Sequence, residues 1–139
     1  MAREEGRGHG NEGNLDLVRR GYEAFNAGDA EGLKAIMAAD AAHIVPGKSE
    51  LSGAHKGIDN ILTLYAALGE RSNGTLSIDL EDVVSDGGDR VVAIQTLRAK
   101  REGKTLEARE ALLFTISAGR VVEVQDFFPD IDANDSFWA

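Results

Sequence analysis

Two side chains in this sequence join a proton-handling group to an apolar neighbourhood. Asp126 stands in the run Val121-Val-Glu-Val-Gln-Asp-Phe-Phe128, with Val124 and Phe128 at the alternate positions that share its face of a strand. A surface strand places its charges on the solvated face, so a carboxyl among these residues points inward. Desolvation raises such a carboxyl toward the range useful for acid–base work, unless a nearby cation opposes the shift. His43 lies in a short strand-like stretch, His43-Ile-Val45. Its imidazole titrates near neutrality when unperturbed and serves as general base or acid.

Arg109 is the candidate cation. Pairing the last two strands across a turn at Ala118-Gly119 sets Ala111 opposite Asp126 and leaves Arg109 on the diagonal of the same face. Paired there, it holds Asp126 ionised, as a substrate-orienting anion or a modest base. The run Glu107, Arg109, Glu110 reads alternatively as a solvated face. Gln95, Tyr22, Tyr65, Phe128 and Trp138 are the candidate substrate-binding residues. The two tyrosines belong first to the core, but a buried hydroxyl needs a partner and a ligand oxygen can be one. Phe137-Trp138 is too apolar for a solvated tail and is expected to dock, over a cavity mouth or across a dimer interface. His55 is assigned to capping or solvating the start of a helix. No HxxxH or HxH pair is present, so no metal site is expected. The glycines at 6, 8 and 10 do not follow a strand and make no phosphate loop.

The elements that must position these groups are legible in the pattern. Leu15, Val18, Tyr22 and Phe25 recur at helical spacing, with Asn14 where an N-cap belongs and Gly28 at the close. Asp29 caps a short second helix packing through Leu33, Ile36 and Met37. Pro46-Gly47 turns the chain into a polar loop to about Lys56, and Ile58, Ile61, Leu62, Tyr65 and Leu68 mark a third helix ended by Asn73-Gly74. Strand patterns follow at 75–85, 90–100, 105–117 and 120–128, joined by turns at Asp86-Gly-Gly-Asp89, Glu102-Gly-Lys104 and Ala118-Gly119. Three helices before an antiparallel meander predict an α+β domain whose curved sheet is covered by the helices.

Composition narrows the function. The 139 residues carry 24 Asp and Glu against 15 Lys and Arg, a net charge of −9, so association with nucleic acid or an anionic membrane would begin with repulsion. The absence of cysteine removes disulfides, thiolate metal sites and any Cys nucleophile. With 42% apolar residues the chain can bury a core. Residues 1–13 alternate charges with glycines and lack an apolar segment, which predicts a flexible arm with His9 solvated, a single domain over 14–139, and a cytoplasmic protein. Outward-facing Val92, Ile94, Leu112, Phe114 and Ile116 would make a sheet face too apolar for water, which predicts a homodimer.

The segments Tyr22-Glu-Ala-Phe-Asn-Ala-Gly-Asp29, Ala38-Ala-Asp-Ala41, Pro46-Gly47, Gly119-Arg-Val-Val-Glu123 and Asp126-Phe-Phe128 resemble the nuclear transport factor 2-like superfamily. More narrowly, they resemble its SnoaL-like group, related to polyketide cyclases, ketosteroid isomerases and limonene epoxide hydrolases. The resemblance covers about residues 14–132 and implies a cone-shaped α+β barrel of three N-terminal helices on a curved, mostly antiparallel sheet. That fold hosts enzymes and binding modules alike. The ketosteroid isomerase base before the proline falls on Val45, and its oxyanion-hole aspartate on Ala111, so that mechanism is absent. The arginine and second aspartate of limonene epoxide hydrolases fall on Ala93 and Gln95, and their tyrosine on His43. Asp126 alone matches the acidic position of both the epoxide hydrolases and the SnoaL-like cyclases.

Two readings follow. One is a cofactor-independent cyclase, isomerase, dehydratase or epoxide hydrolase that uses Asp126 and His43 on a small apolar, oxygenated substrate. The other is a non-catalytic ligand-binding or dimerisation module of the same fold. A cavity of a few hundred Å3 with Asp126, His43 and Gln95 converging on it favours the first reading, and a closed, leucine-filled barrel the second.

Overall fold

The computed structural model describes residues 11–139. The expected arm, with His9, therefore lies outside the described residues up to residue 10. Helix α1 (Glu12–Ala27) begins three residues earlier than expected because Asn11, not Asn14, is its cap, so residues 11–13 belong to the helix start and not to the expected arm. The Asn14 amide N–H donates to Asn11 Oδ1 at 3.1 Å, satisfying one of the free donors of the first turn. The Asn14 side chain instead donates to the Gly88 carbonyl at 3.0 Å. Gly28 closes the helix at φ 67, a left-handed conformation that costs glycine little. Asp29 then caps α2 (Ala30–Ile36), accepting from the Gly32 N–H at 2.9 Å.

The chain enters strand β1 (Met37–Val45) directly from α2, so this strand is longer than the three residues expected. The loop after Pro46-Gly47 contains a short strand, β2 (Gly53–Lys56), paired antiparallel to β1. In it, His55 does not cap the next helix; its Nε2 bonds the Leu51 carbonyl at 2.8 Å. Helix α3 (Ile58–Arg71) follows, then β3 (Ser77–Ser85), β4 (Arg90–Arg101), β5 (Lys104–Ser117) and β6 (Arg120–Phe127). The sheet order is β2-β1-β6-β5-β4-β3, antiparallel throughout except for the parallel pair β1–β6. Glu102-Gly103 (φ 51 and 79) and Ala118-Gly119 (φ 51 and 76) put two consecutive residues at positive φ, the geometry whose twist suits a two-residue hairpin. The fold is thus α+β, with helices packed on a six-stranded, mostly antiparallel sheet.

One irregularity sets the site. Ile116 pairs with Val121, but Thr115 pairs with Glu123, so Val122 is an extra residue on β6. A bulge moves every later side chain by one position. Asp126 therefore lies opposite Leu112 rather than Ala111. Its neighbour on the same face of β5, one diagonal step away, becomes Glu110 in place of Arg109.

The same alternation corrects the expected outer surface. Leu112, Phe114 and Ile116 pack into the interior with α1, whereas Val92 and Ile94, whose strand partners are Leu113 and Ala111, keep the outer face. Val91, Ala93, Gln95, Leu97 and Ala99 are the inward set of β4, each under 8% exposed.

A fourth helix, α4 (Ile131–Trp138), was not expected; Asp130 caps it by accepting from the Ala133 N–H at 3.0 Å. It docks Phe137 and Trp138, 3% and 2% exposed, against Leu64, Leu97 and Leu106. Lys104 Nζ donates to the Ser136 carbonyl at 2.8 Å and Arg101 to that of Ala139 at 3.0 Å, placing cations where the helix leaves free acceptors. Asp135 accepts from the backbone N–H groups of Lys48 and Ser49 at 2.9 and 3.2 Å, fastening the loop after β1 to this helix.

Candidate functional site

Between the helices and the inner face of the sheet lies a cavity of about 110 Å3. Most of its wall is apolar and aromatic, including Phe25, Leu64, Phe114, Phe128 and Trp138, and among the described residues no Lys or Arg contributes to it. Two hydrogen-bonded chains of polar side chains interrupt this wall.

The first runs from α3 through β1 to β6. Tyr65 OH lies 2.8 Å from His43 Nδ1, and His43 Nε2 lies 2.8 Å from Asp126 Oδ1. Burial first, and then the charge of Asp126, hold the Tyr65 phenol far above its ordinary range, so it keeps its proton. An ionised Asp126 only accepts. With a neutral ring, His43 Nε2 therefore carries the hydrogen and donates to Asp126, while the Tyr65 hydroxyl donates to Nδ1. Tyr65 also meets the His43 ring edge to face at 5.5 Å and Phe25 at 5.2 Å, which fixes the ring's orientation.

The second chain runs from α1 through β4 to β5. Tyr22 OH donates to Gln95 Oε1 at 2.7 Å, and Gln95 Nε2 donates to Glu110 Oε1 at 2.8 Å. Gln95 and Glu110 are each 4% exposed. Burial pushes the Glu110 carboxyl up from 4.5 to about 7; the Gln95 hydrogen bond opposes this and the charge of Asp126 adds to it. The Tyr22 phenol is raised well beyond its usual range, by burial first and then by the charges of Asp126 and Glu110.

The model of the SnoaL-like domain matches residues 18–124. The chain belongs to the SnoaL-like family. It is 42% identical over 125 residues to the uncharacterized protein Rv0034 of Mycobacterium tuberculosis, covering 90% of this chain and 95% of that one. Among solved structures it resembles Bal32a from a soil-derived mobile gene cassette, at 37% identity and TM-score 0.87 over 92% of this chain and 98% of the other. A cystatin-like-fold protein of unknown function from Xanthomonas campestris follows at 29% identity and TM-score 0.84, over 91% and 98%. The architecture is that of the nuclear transport factor 2-like superfamily, as the sequence segments implied.

In this SnoaL-like domain the cavity gathers Asp126, His43, Gln95, Tyr22, Tyr65, Phe128 and Trp138. Arg109 is not among them. Its side chain is 72% exposed and bonds Glu81 Oε1 at 2.9 Å on the opposite face of the sheet. The Val122 bulge is the physical reason, because without it Arg109 and not Glu110 would share the face of Asp126. In the sequence, Glu110 reads only as part of the solvated run Glu107, Arg109, Glu110. The signal that marks it is parity: Leu106, Glu110, Leu112 and Ile116 all fall on alternate positions of β5 and all are buried. Its acidity hid it, since a carboxylate is the residue least expected in an inward set.

Proposed function

We propose that this SnoaL-like protein is a cofactor-independent proton-transfer enzyme of the cyclase, isomerase, dehydratase or epoxide hydrolase type. Asp126 and His43 are its acid–base pair. The observation that carries this reading is the 2.8 Å contact of His43 Nε2 with Asp126 Oδ1 on the wall of a largely apolar cavity. Asp126 takes a proton from the substrate. The His43 N–H holds its carboxylate in place, and Tyr65 fixes the tautomer that allows this. Phe128 and Trp138 supply apolar contact, and Tyr22 and Gln95 the polar framework beside it. A cavity of about 110 Å3 is small against the ~300–1,000 Å3 of drug-sized sites, which supports a compact substrate.

A non-catalytic binding module is the second reading, favoured by the fact that His43, Tyr65, Tyr22 and Gln95 already bond one another or a carboxylate. Native mass spectrometry of the purified protein identifies a co-purified ligand, and turnover of that ligand by wild type and Asp126→Asn separates the two readings. Turnover should fall roughly 100-fold to 10,000-fold with ligand affinity little changed. An Asn variant with undiminished turnover ends the catalytic reading.

We also propose a homodimer through the outer sheet face, on corrected residues. Val84 and Phe127 are 45% and 49% exposed, and by register they flank Val92, Ile94, Ala111 and Leu113 on that face. An apolar strip of this kind is characteristic of an interface. Sedimentation equilibrium should give twice the 14.9 kDa chain mass for wild type and the single mass for Phe127→Glu. A monomeric wild type at micromolar concentration refutes it.

A further inference from the structure

Tyr22, Gln95 and Glu110 form a complete polar chain that the acid–base pair above does not use. The Tyr22 hydroxyl donates to Gln95 Oε1, so the amide turns its N–H toward Glu110 and makes Glu110 Oε1 an acceptor. A proton on this carboxyl therefore belongs on Oε2. That oxygen has no protein hydrogen-bond partner among the described residues, nor is it sealed off as a buried unpartnered atom; Glu110 lines the cavity. Asp126 occupies the same face of the sheet, one diagonal step away on β6. Two carboxyls so placed, with no Lys or Arg among the described residues of the wall, do not both ionise readily.

We propose that Glu110 is the proton donor of this cavity, presenting Oε2–H to a substrate oxygen while Asp126, held by the His43 N–H, serves as the base, and that the substrate is an uncharged carbonyl compound. This rests on the reading of Asp126 as a base. For a ketone, Asp126 takes the α-hydrogen as a proton. The C–H electron pair becomes the C=C bond, and the carbonyl π pair moves to oxygen, which takes the proton from Glu110. The pair of carboxyls holds one proton before and after, so no further reactant is required. Carboxylates and phosphates are excluded because they would enter beside Asp126 with no cation to receive them. The titratable groups facing Glu110 are Tyr22 on α1, Tyr65 on α3, His43 on β1 and Asp126 on β6, and the position of Glu110 near 7 matches a donor that works at neutral pH.

The full chain, with glutamate carboxyl carbons labelled, is titrated by NMR. One glutamate should titrate near pH 7 in wild type, vanish in Glu110→Gln and move to lower pH in Asp126→Asn. If every glutamate of wild type titrates with ordinary carboxylates, the proposal is overturned, and this arm needs no variant to fold. Cyclohexanone and cyclohexanecarboxylate are then compared by ligand-observed NMR at pH 6. The ketone should bind roughly tenfold or more tightly; any other ranking overturns the substrate class. In D2O, α-hydrogen exchange of the ketone should fall at least about tenfold in Glu110→Gln with ketone binding retained. Exchange at the wild-type rate in that variant removes Glu110 as donor and leaves Asp126 as base. Undiminished exchange in Asp126→Asn instead removes the base, while the titration still decides on Glu110.

Discussion

Glu110 and Glu81 are the same side chain on the two faces of one sheet, and their surroundings shift them in opposite directions from the ordinary carboxylate range. Glu110 faces the cavity, finds among the described residues only the Gln95 amide as a donor, and is raised to about 7 by burial and the neighbouring charge of Asp126. Glu81 faces water, accepts from the Thr96 hydroxyl and from Arg109, and is lowered by those bonds. Residue identity sets neither value. A carboxylate loses its hydration on entering the interior, and only an ionic partner or several donors replaces it. Arg109 could have been that partner, but it lies on the outer face with Glu81.

The largest expected effect tests the inner member of this comparison. A carboxyl raised from 4.5 to about 7 in the folded state binds more protons there than in the unfolded chain between those values. Its favourable contribution is therefore complete below about pH 4.5 and lost as pH rises through about 7. At about 1.4 kcal/mol per unit, wild type should lose up to roughly 3 kcal/mol relative to Glu110→Gln across that window, measured by urea unfolding at a series of pH values. Parallel stability curves for the two proteins would show that Glu110 is not raised. A smaller effect is expected where the other polar chain is cut. Tyr65→Phe removes the partner of His43 Nδ1 and should lower stability by about 1–2 kcal/mol, with turnover lowered because the ring is no longer held. An unchanged unfolding midpoint would mean that solvent satisfies Nδ1. The smallest change belongs to the outer face. Arg109→Ala should leave the melting temperature within about 2 °C of wild type and turnover unaffected, while the Glu81 carboxyl rises toward its ordinary range. A selective loss of turnover would restore Arg109 to the site.

Much of the framework was legible in the chain. Gly28, Asp29, Asn73-Gly74, Glu102-Gly103 and Ala118-Gly119 punctuate the elements where expected, because positive φ and helix capping are local demands on single residues. Asp126 was legible as an inward carboxyl because Val124 and Phe128 share its parity. Helix α4 was missed. Its eight residues carry only Ile131, Phe137 and Trp138 as large apolar groups, too few for a helical period, and its stability comes from docking against α3 and the sheet.

The sequence by itself determined the first three helices, the four strands of the meander, the α+β class and the presence of an inward acidic residue at Asp126, since these depend on local conformational preference and short-range periodicity. The tertiary structure decided which groups meet Asp126. Its approach to His43 spans 83 positions in the chain and requires the parallel pairing of β1 with β6. The choice of Glu110 over Arg109 requires a single extra residue at Val122. Strand parity is a property of the chain, but its phase against a neighbouring strand is a property of the folded sheet, and a one-residue bulge is enough to reverse it.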